Sequence, residues 1–333
     1  MLRNYKYSLS LVPAVFVITG NLLGGWWVAL NTVFSLGLLV VLENFVPENK
    51  DNRTDDNQLF PEALLFIHVL MQVICLATLF RSISHFNYSA IQFFVLSISV
   101  GINTGASSIV IAHELIHRKN KFYQLAGKFL LFTAGNIYFF VDHLKVHHKY
   151  VGTSLDPATA RYGESVYKFF LRTTFGQMKS SLKTEAQRLQ NKNAFKYGLR
   201  NYVIASLLLL IIFYSALYYF IGTKAVVVFL IQSLVANFLL EYTNYIEHYG
   251  LTRKEDERVT EIHSWQSDKV ISRYFLIDLS RHSDHHYYAS KPYHTLNSYE
   301  KSPVLPGGYV SMIYYALIPP LWFKVIHKRI KKT

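Results

Sequence analysis

The chain has 333 residues, 51% hydrophobic, 16% aromatic and only 17% charged, against about 25% charged in an ordinary soluble domain. That balance excludes a disordered or collagen-like chain, and the single cysteine, Cys75, leaves no disulfide, Cys-ligated zinc or iron–sulfur cluster within it. The net charge of +13 reads as the Lys and Arg excess on the cytoplasmic side of a polytopic membrane protein rather than as a nucleic-acid footprint.

Apolar blocks follow one another at 9–30, 31–46, 63–80, 90–112, 122–141, 202–221 and 225–243, most near the ~20 residues that a hydrocarbon core demands of a helix. The first block runs straight into the second, so no cleavable signal is expected there. A polar loop at 47–58 and a basic stretch at 164–200 interrupt the series. A polar segment at 252–306 then precedes a short apolar end at 309–318. No repeat or low-complexity tract divides the chain, and one domain spanning 1–333 is expected. Histidines cluster after the fourth, fifth and seventh blocks and again near residue 285. A polar site drawing on all of them needs them on one side of the membrane, so block 122–141 should be re-entrant or interfacial. The expected architecture is therefore all-α: a polytopic bundle of six transmembrane helices with a histidine-rich cap. The turns on the opposite side hold only Arg81 and Lys224 of the 34 basic residues, which makes the capped side and both termini cytoplasmic.

Nine of the 14 histidines fall in four short motifs: His113 and His117; His143, His147 and His148; His248; and His282, His285 and His286. Histidines four apart lie on one helix face, where two imidazoles converge on one metal. This predicts joint ligation by His113 with His117 and by His143 with His147, and puts His282 above both His285 and His286. Nine imidazoles exceed what one ion takes, and zinc rarely has more than four ligands. Two six-coordinate irons with positions open to oxygen would use them. The carboxylates Glu114, Asp142, Glu247 and Asp284 each adjoin a candidate ligand in sequence and are expected to accept from imidazole N–H groups. His113-Glu114-x-x-His117 also spells a zinc-protease signature, with Glu114 as general base, but that alternative leaves seven histidines unexplained. A metal transporter is a further alternative, although the crossings carry few ionisable residues.

Longer stretches carry a resemblance: His-Glu-Leu-Ile-His at 113–117, His-His-Lys-Tyr-Val-Gly-Thr at 147–153, Asp-Pro-Ala-Thr-Ala-Arg at 156–161, Asn-Tyr-Ile-Glu-His-Tyr-Gly-Leu at 244–251 and Arg-His-Ser-Asp-His-His at 281–286. They resemble the alkane 1-monooxygenases, integral-membrane non-haem di-iron hydroxylases of the fatty-acid desaturase superfamily. Asp142, Val146 and Ile116 depart from the Glu, Gly and Gly usual there. The resemblance implies that the nine histidines hold two irons, with Glu114, Asp142, Asp156, Asn244, Glu247 and Asp284 around them. It implies O2-dependent hydroxylation of the terminal carbon of a medium-chain n-alkane in a bacterial inner membrane. Reduced rubredoxin, served by a flavin-dependent reductase, would be the donor. A fatty-acyl desaturase and an ω-hydroxylase share the same boxes and stay open as alternatives.

Trp26, Trp27, Val40 and Val41 are candidates to line the substrate channel, with interfacial anchoring the alternative for the two tryptophans. The stretch 164–200 carries eight basic residues against two acidic ones. It offers Lys179, Lys183 and Arg188 as a docking surface for an acidic donor, or else forms a basic interfacial helix.

Overall fold

The computed structural model describes residues 4–52 and 58–330, and the elements among them are helical. Six helices are long and apolar enough to cross a membrane. They are α1 (Asn4–Leu23), α2 (Gly25–Phe45), α3 (Leu59–His85), α4 (Ala90–Ile116), α8 (Tyr202–Phe220) and α9 (Thr223–His248). Between α4 and α8 come α5 (Lys121–Thr133), α6 (residues 139–150) and α7 (Val166–Gln190). After α9 come α10 (Val270–Phe275), α11 (His282–Tyr287), α12 (Met312–Ala316) and α13 (Pro319–Ile326).

The first two crossings divide at Gly24 and Gly25 rather than at residues 30 and 31. Both glycines have left-handed backbone, with φ of 70° and 55°, which glycine alone adopts without a Cβ penalty. The apolar sequence runs unbroken through that turn, so hydropathy gives no signal of it. Helix α4 starts at a capping box, in which Ser89 Oγ accepts from Gln92 N and Gln92 Oε1 accepts from Ser89 N.

Helix α4 is the central helix: 78% of its apolar window is buried, against 11% for α8 at the lipid-facing edge. Its Gly101 and Gly105 let α9 approach closely. A Cβ at Gly101 would stand 2.8 Å from the Gln232 carbonyl oxygen, and one at Gly105 would stand 3.1 Å from Ala236 Cα. Small residues at such a crossing allow the backbone packing that holds helices together in lipid.

After α4, the chain turns and α5 runs back beside it, with Gly127 packed on Ile116 and the Ala112 carbonyl. The end of α5 reaches the middle of the bundle, where Thr133 Oγ1 accepts from Gln72 Nε2 at 3.2 Å and the Thr133 carbonyl accepts from Gln232 Nε2 at 3.0 Å. Gly135, at φ 67°, reverses the chain, and Asn136 Oδ1 accepts from the amides of Tyr138 and Phe139 to start α6. Helix α6 returns to the end of α4, bringing His143 back beside His113.

The starts of α1 and α3 and the ends of α2, α4 and α9 meet at one end of the bundle, capped by residues 249–311. Tyr7 of α1 donates to Asp278, Glu43 of α2 accepts from Ser311 N and Ser272 Oγ, and Tyr293 donates to the Pro61 carbonyl of α3. Ile277 and Asp278 both have positive φ, 45° and 56°, a strained backbone for side-chain-bearing residues. The strain is held by Arg273, whose Nε donates to Asp278 Oδ1 at 2.6 Å, and it sits just before α11 and its histidines.

Candidate metal centre

The nine predicted histidines converge in two adjoining groups. His113, His117, His143, His148 and His285 form one, and His147, His248, His282 and His286 form the other; within each, the ligand atoms lie within 4.8 Å of one another. The pairing read from α-helical spacing holds for His113 with His117 and for His282 with His286. It fails for the other two pairs. Residues His143–His147 form a π-helical turn, which needs about one residue more per turn than an α-helix. His143 therefore shares a group with His148, five residues on, while His147 faces the second group. His285 likewise joins the first group, apart from His282 above it.

The spacing of the nitrogens tests whether a metal fits. Nε2 of His117 stands 2.9 Å from that of His143 and 3.2 Å from that of His148. The His148–His143 and His285–His148 separations are 3.0 and 3.1 Å. Ligands about 2.1 Å from one ion stand ~3.0 Å apart when they subtend a right angle and ~3.4 Å when tetrahedral. The observed distances fit the right angle, and five ligands in one group exceed the four of a zinc site. Nε2 of His113 and His248 are buried with no hydrogen-bond partner, the condition of lone pairs aimed at a Lewis acid.

Electrostatics keep the rings in the ligating form. Burial, reinforced by the neighbouring imidazoles, pushes His143, His148, His282, His285 and His286 well below the ordinary histidine range. Burial also takes His117 down to about 3. These six rings are neutral at pH 7, with a lone pair free.

Of the six polar residues expected around the ligands, Asp156 and Glu247 reach an imidazole among the described residues. Asp156 Oδ2 accepts from His147 Nδ1 at 2.9 Å and from Thr159 Oγ1 at 2.7 Å. Burial works against its charge, yet His147 and these hydrogen bonds hold its carboxyl below the usual carboxylate range. Glu247 Oε2 stands 3.2 Å from His282 Nε2. The others turn elsewhere. Glu114 pairs with Arg118 at 2.7 Å. Asp142 accepts from Ser180, Asn244 donates to Glu241 at 3.0 Å, and Asp284 accepts from Tyr299 Oη at 2.8 Å and from Lys291. Neighbours in sequence point about 100° apart around a helix, which turns Glu114, Asp142 and Asp284 to these partners rather than to an imidazole. The His263 carbonyl and Ser264 Oγ, in a His-Ser-Trp stretch at 263–265 that also belongs to the resemblance, each stand 3.4 Å from His248 Nδ1.

Two joined cavities lead to the histidines. One of about 350 Å³ is lined by His113, His143, His282, Asn244, Glu247 and apolar neighbours. A larger one, about 760 Å³ with its open mouth included, lies among α1, α2, α4 and α9, and its walls include Pro13, Leu36, Leu39, Ala106, Phe275 and Ile313. Gly105, Val110, Thr243 and Leu279 line both and form the neck between them. Sequence reasoning missed this neck, since nothing in a single chain marks which residues of different helices share a wall. Trp26, Trp27, Val40 and Val41 line neither cavity. Trp26, Trp27 and Val41 are exposed, and the two tryptophans sit at the α1–α2 turn, the end of the bundle away from the histidines.

On α7, Lys179 and Lys183 are exposed. Arg188 is engaged: its guanidinium binds Glu185 through Nε and Nη2, at 2.7 and 2.8 Å, and donates to the Arg200 carbonyl.

Comparison with known proteins agrees with this geometry. The fatty acid desaturase family profile matches residues 89–316. The alkane 1-monooxygenase of Acinetobacter baylyi is 31% identical, over 98% of this chain and 85% of its own. Alkane 1-monooxygenase 2 of Alcanivorax borkumensis is 33% identical, over 99% of this chain and 92% of its own. The hydroxylase component of a xylene/toluene monooxygenase from Pseudomonas putida is 25% identical over 97% of this chain and 88% of its own. With nine histidines gathered at one end of a six-helix membrane bundle, the chain belongs to the alkane 1-monooxygenase family, within the fatty acid desaturases.

Proposed function

We propose that this protein is a di-iron monooxygenase of the bacterial inner membrane that converts medium-chain n-alkanes to 1-alkanols. It uses O2 and two electrons from reduced rubredoxin, one oxygen atom entering the product and the other leaving as water. The observation that carries the reading is a five-plus-four histidine constellation at the closed end of an apolar passage. His113, His117, His143, His148 and His285 would hold one iron, and His147, His248, His282 and His286 the other. When bound, the irons supply the activation of O2 needed to oxidise an unactivated C–H bond.

The protein's own residues do the rest. An alkane dissolved in the bilayer lies against Leu36, Leu39 and Ile313 in the larger cavity. The neck at Gly105, Val110, Thr243 and Leu279 admits one slender chain end to the histidines, which selects the terminal methyl. Ile109, Phe139 and Leu240 around the inner cavity keep water from the reacting carbon. Asp156 holds the His147 Nδ1 proton outward and fixes that ring's tautomer. His117 and His148, less buried than the other ligands of their group, offer the shortest way in for electrons. The exposed Lys179 and Lys183 steer an acidic donor. The histidine side is cytoplasmic, a reading that the scarcity of basic residues at the opposite face supports, and α5 is a re-entrant helix.

The test is elemental analysis of the detergent-purified protein beside a gas-chromatographic assay with octane, hexadecane and a fatty acid, supplied with rubredoxin and its reductase. Two irons per chain and a 1-alkanol product are expected. Iron with an unsaturated product would assign a desaturase instead.

A further inference from the structure

A second cavity system lies at the opposite end of the bundle and is separate from the substrate passage. It is a groove of about 920 Å³, its open side included, between the α3–α4 turn and the start of α9. Its floor and walls are Phe86, Tyr88, Phe93, Phe94, Val227 and Ile231. Ser82 and Tyr88 share a hydrogen bond of 2.5 Å between their hydroxyls. Phe86 packs over Gly24, where a Cβ would stand 2.8 Å from its ring. The walls are thus held by contacts to the α1–α2 turn and to α3. Lys224 is the cation in this lining, and it is exposed.

The charge pattern says what fills the groove. Residues 63–113 and 186–240, which supply both sides of it, contain no aspartate or glutamate. The α1–α2 turn at the same face contains none either. Among the described residues, no carboxylate pairs with Lys224. Its ammonium is left free to meet an anion from outside the chain, and the surface around it is apolar. In a bilayer, one molecule satisfies both demands: a phosphate-bearing anionic lipid whose headgroup meets the ammonium and whose acyl chain lies along Phe94, Val227 and Ile231.

We propose that this groove is a binding site for one anionic phospholipid, in the leaflet opposite the metal centre, with Lys224 as its headgroup contact. The site is independent of the reaction, and the lipid bridges the α3–α4 hairpin to α9, holding together the two helices that carry His113 and His248 at their far ends.

The experiment places the full-length protein in nanodiscs of equal phosphatidylglycerol and phosphatidylcholine with matched oleoyl chains, and counts retained lipids by native mass spectrometry. Wild type is expected to keep one phosphatidylglycerol with about fivefold preference, the worth of one lysine near an anionic surface. Lys224→Gln should bring the preference to near one, while Arg81→Gln, at the same face but outside the groove, leaves it unchanged. Val227→Trp, which fills the slot, should lose both lipids while helicity and metal content stay at wild-type values. Equal retention of the two lipids by wild type would overturn the proposal. So would an undiminished preference in Lys224→Gln, or displacement of the lipid by millimolar inorganic phosphate, which would mark a site for the free anion.

Discussion

Replacing Asp156 by asparagine should weaken one metal site and spare the other. Asp156 Oδ2 receives the Nδ1 proton of His147 at 2.9 Å and the Thr159 hydroxyl at 2.7 Å, and its Oδ1 receives the Ala158 amide at 3.0 Å. An asparagine of the same shape keeps Oδ1 as acceptor for the Ala158 amide but puts an NH2 donor where His147 and Thr159 donated, and it removes the charge that makes His147 a better donor to metal. Losing such a partner costs about 10–100-fold in metal affinity, or roughly 1.4–2.7 kcal/mol. His147 belongs to the four-histidine group and Asp156 contacts none of the other five ligands, so the loss should be confined to one ion. The assay is equilibration of purified protein against graded chelator, with metals per chain read by plasma mass spectrometry. The variant should lose its first metal at 10–100-fold lower chelator and its second at the wild-type concentration. If both metals leave together, or neither midpoint moves, the division of the histidines into these two groups is wrong.

Widening the neck with Leu279→Ala should let the chain advance past its terminal carbon, so that 2-alkanol appears beside 1-alkanol in the product chromatogram. The specificity constant for the terminal position should fall by about 10-fold or more, and an unaltered product ratio would remove Leu279 from the passage. Ala106→Phe, in the wall of the larger cavity, should move the preferred substrate to shorter chains, and unchanged competition between octane and hexadecane would count against that wall. Gly101→Leu drives a Cβ to 2.7 Å from Val235 Cβ and should cost about 1–3 kcal/mol by overpacking, seen as a lower thermal midpoint in detergent. Lys179→Glu with Lys183→Glu should raise the rubredoxin concentration for half-saturation at low salt, and the difference should vanish at high salt. Arg188→Glu should in addition lower the thermal midpoint, because it breaks the tie from α7 to the start of α8.

The apolar blocks made the six crossings legible because membrane spans are written in composition, and the nine ligands were legible because histidines have no other reason to crowd one end of a bundle. Three features were not. The break at Gly24–Gly25 lies in unbroken apolar sequence. The π-helical turn at His143–His147 adds a residue without changing residue types, so the α-helical rule assigned His143 and His147 to one ion. Carboxylates next to ligands looked like their partners, yet the helical rotation of one residue turned Glu114 to Arg118 and Asp284 to Tyr299. Asp156, which accepts from His147 Nδ1, comes from a loop where no periodicity applies.

Adjacent residues serve different groups twice in this centre: His147 and His148 on α6, His285 and His286 on α11. Neighbouring Cα atoms across a trans peptide are about 3.8 Å apart, a distance that neither rotamer changes nor helix tilting alters. The two sites are therefore gauged against each other by two peptide units on elements that approach from opposite sides. Helices α4 and α9 each carry a ligand of a different group, His113 and His248, whereas these two peptide units each carry a ligand of both. The backbone anchors of the two sites thus keep a covalent spacing whatever the tilt of the helices that carry the other ligands.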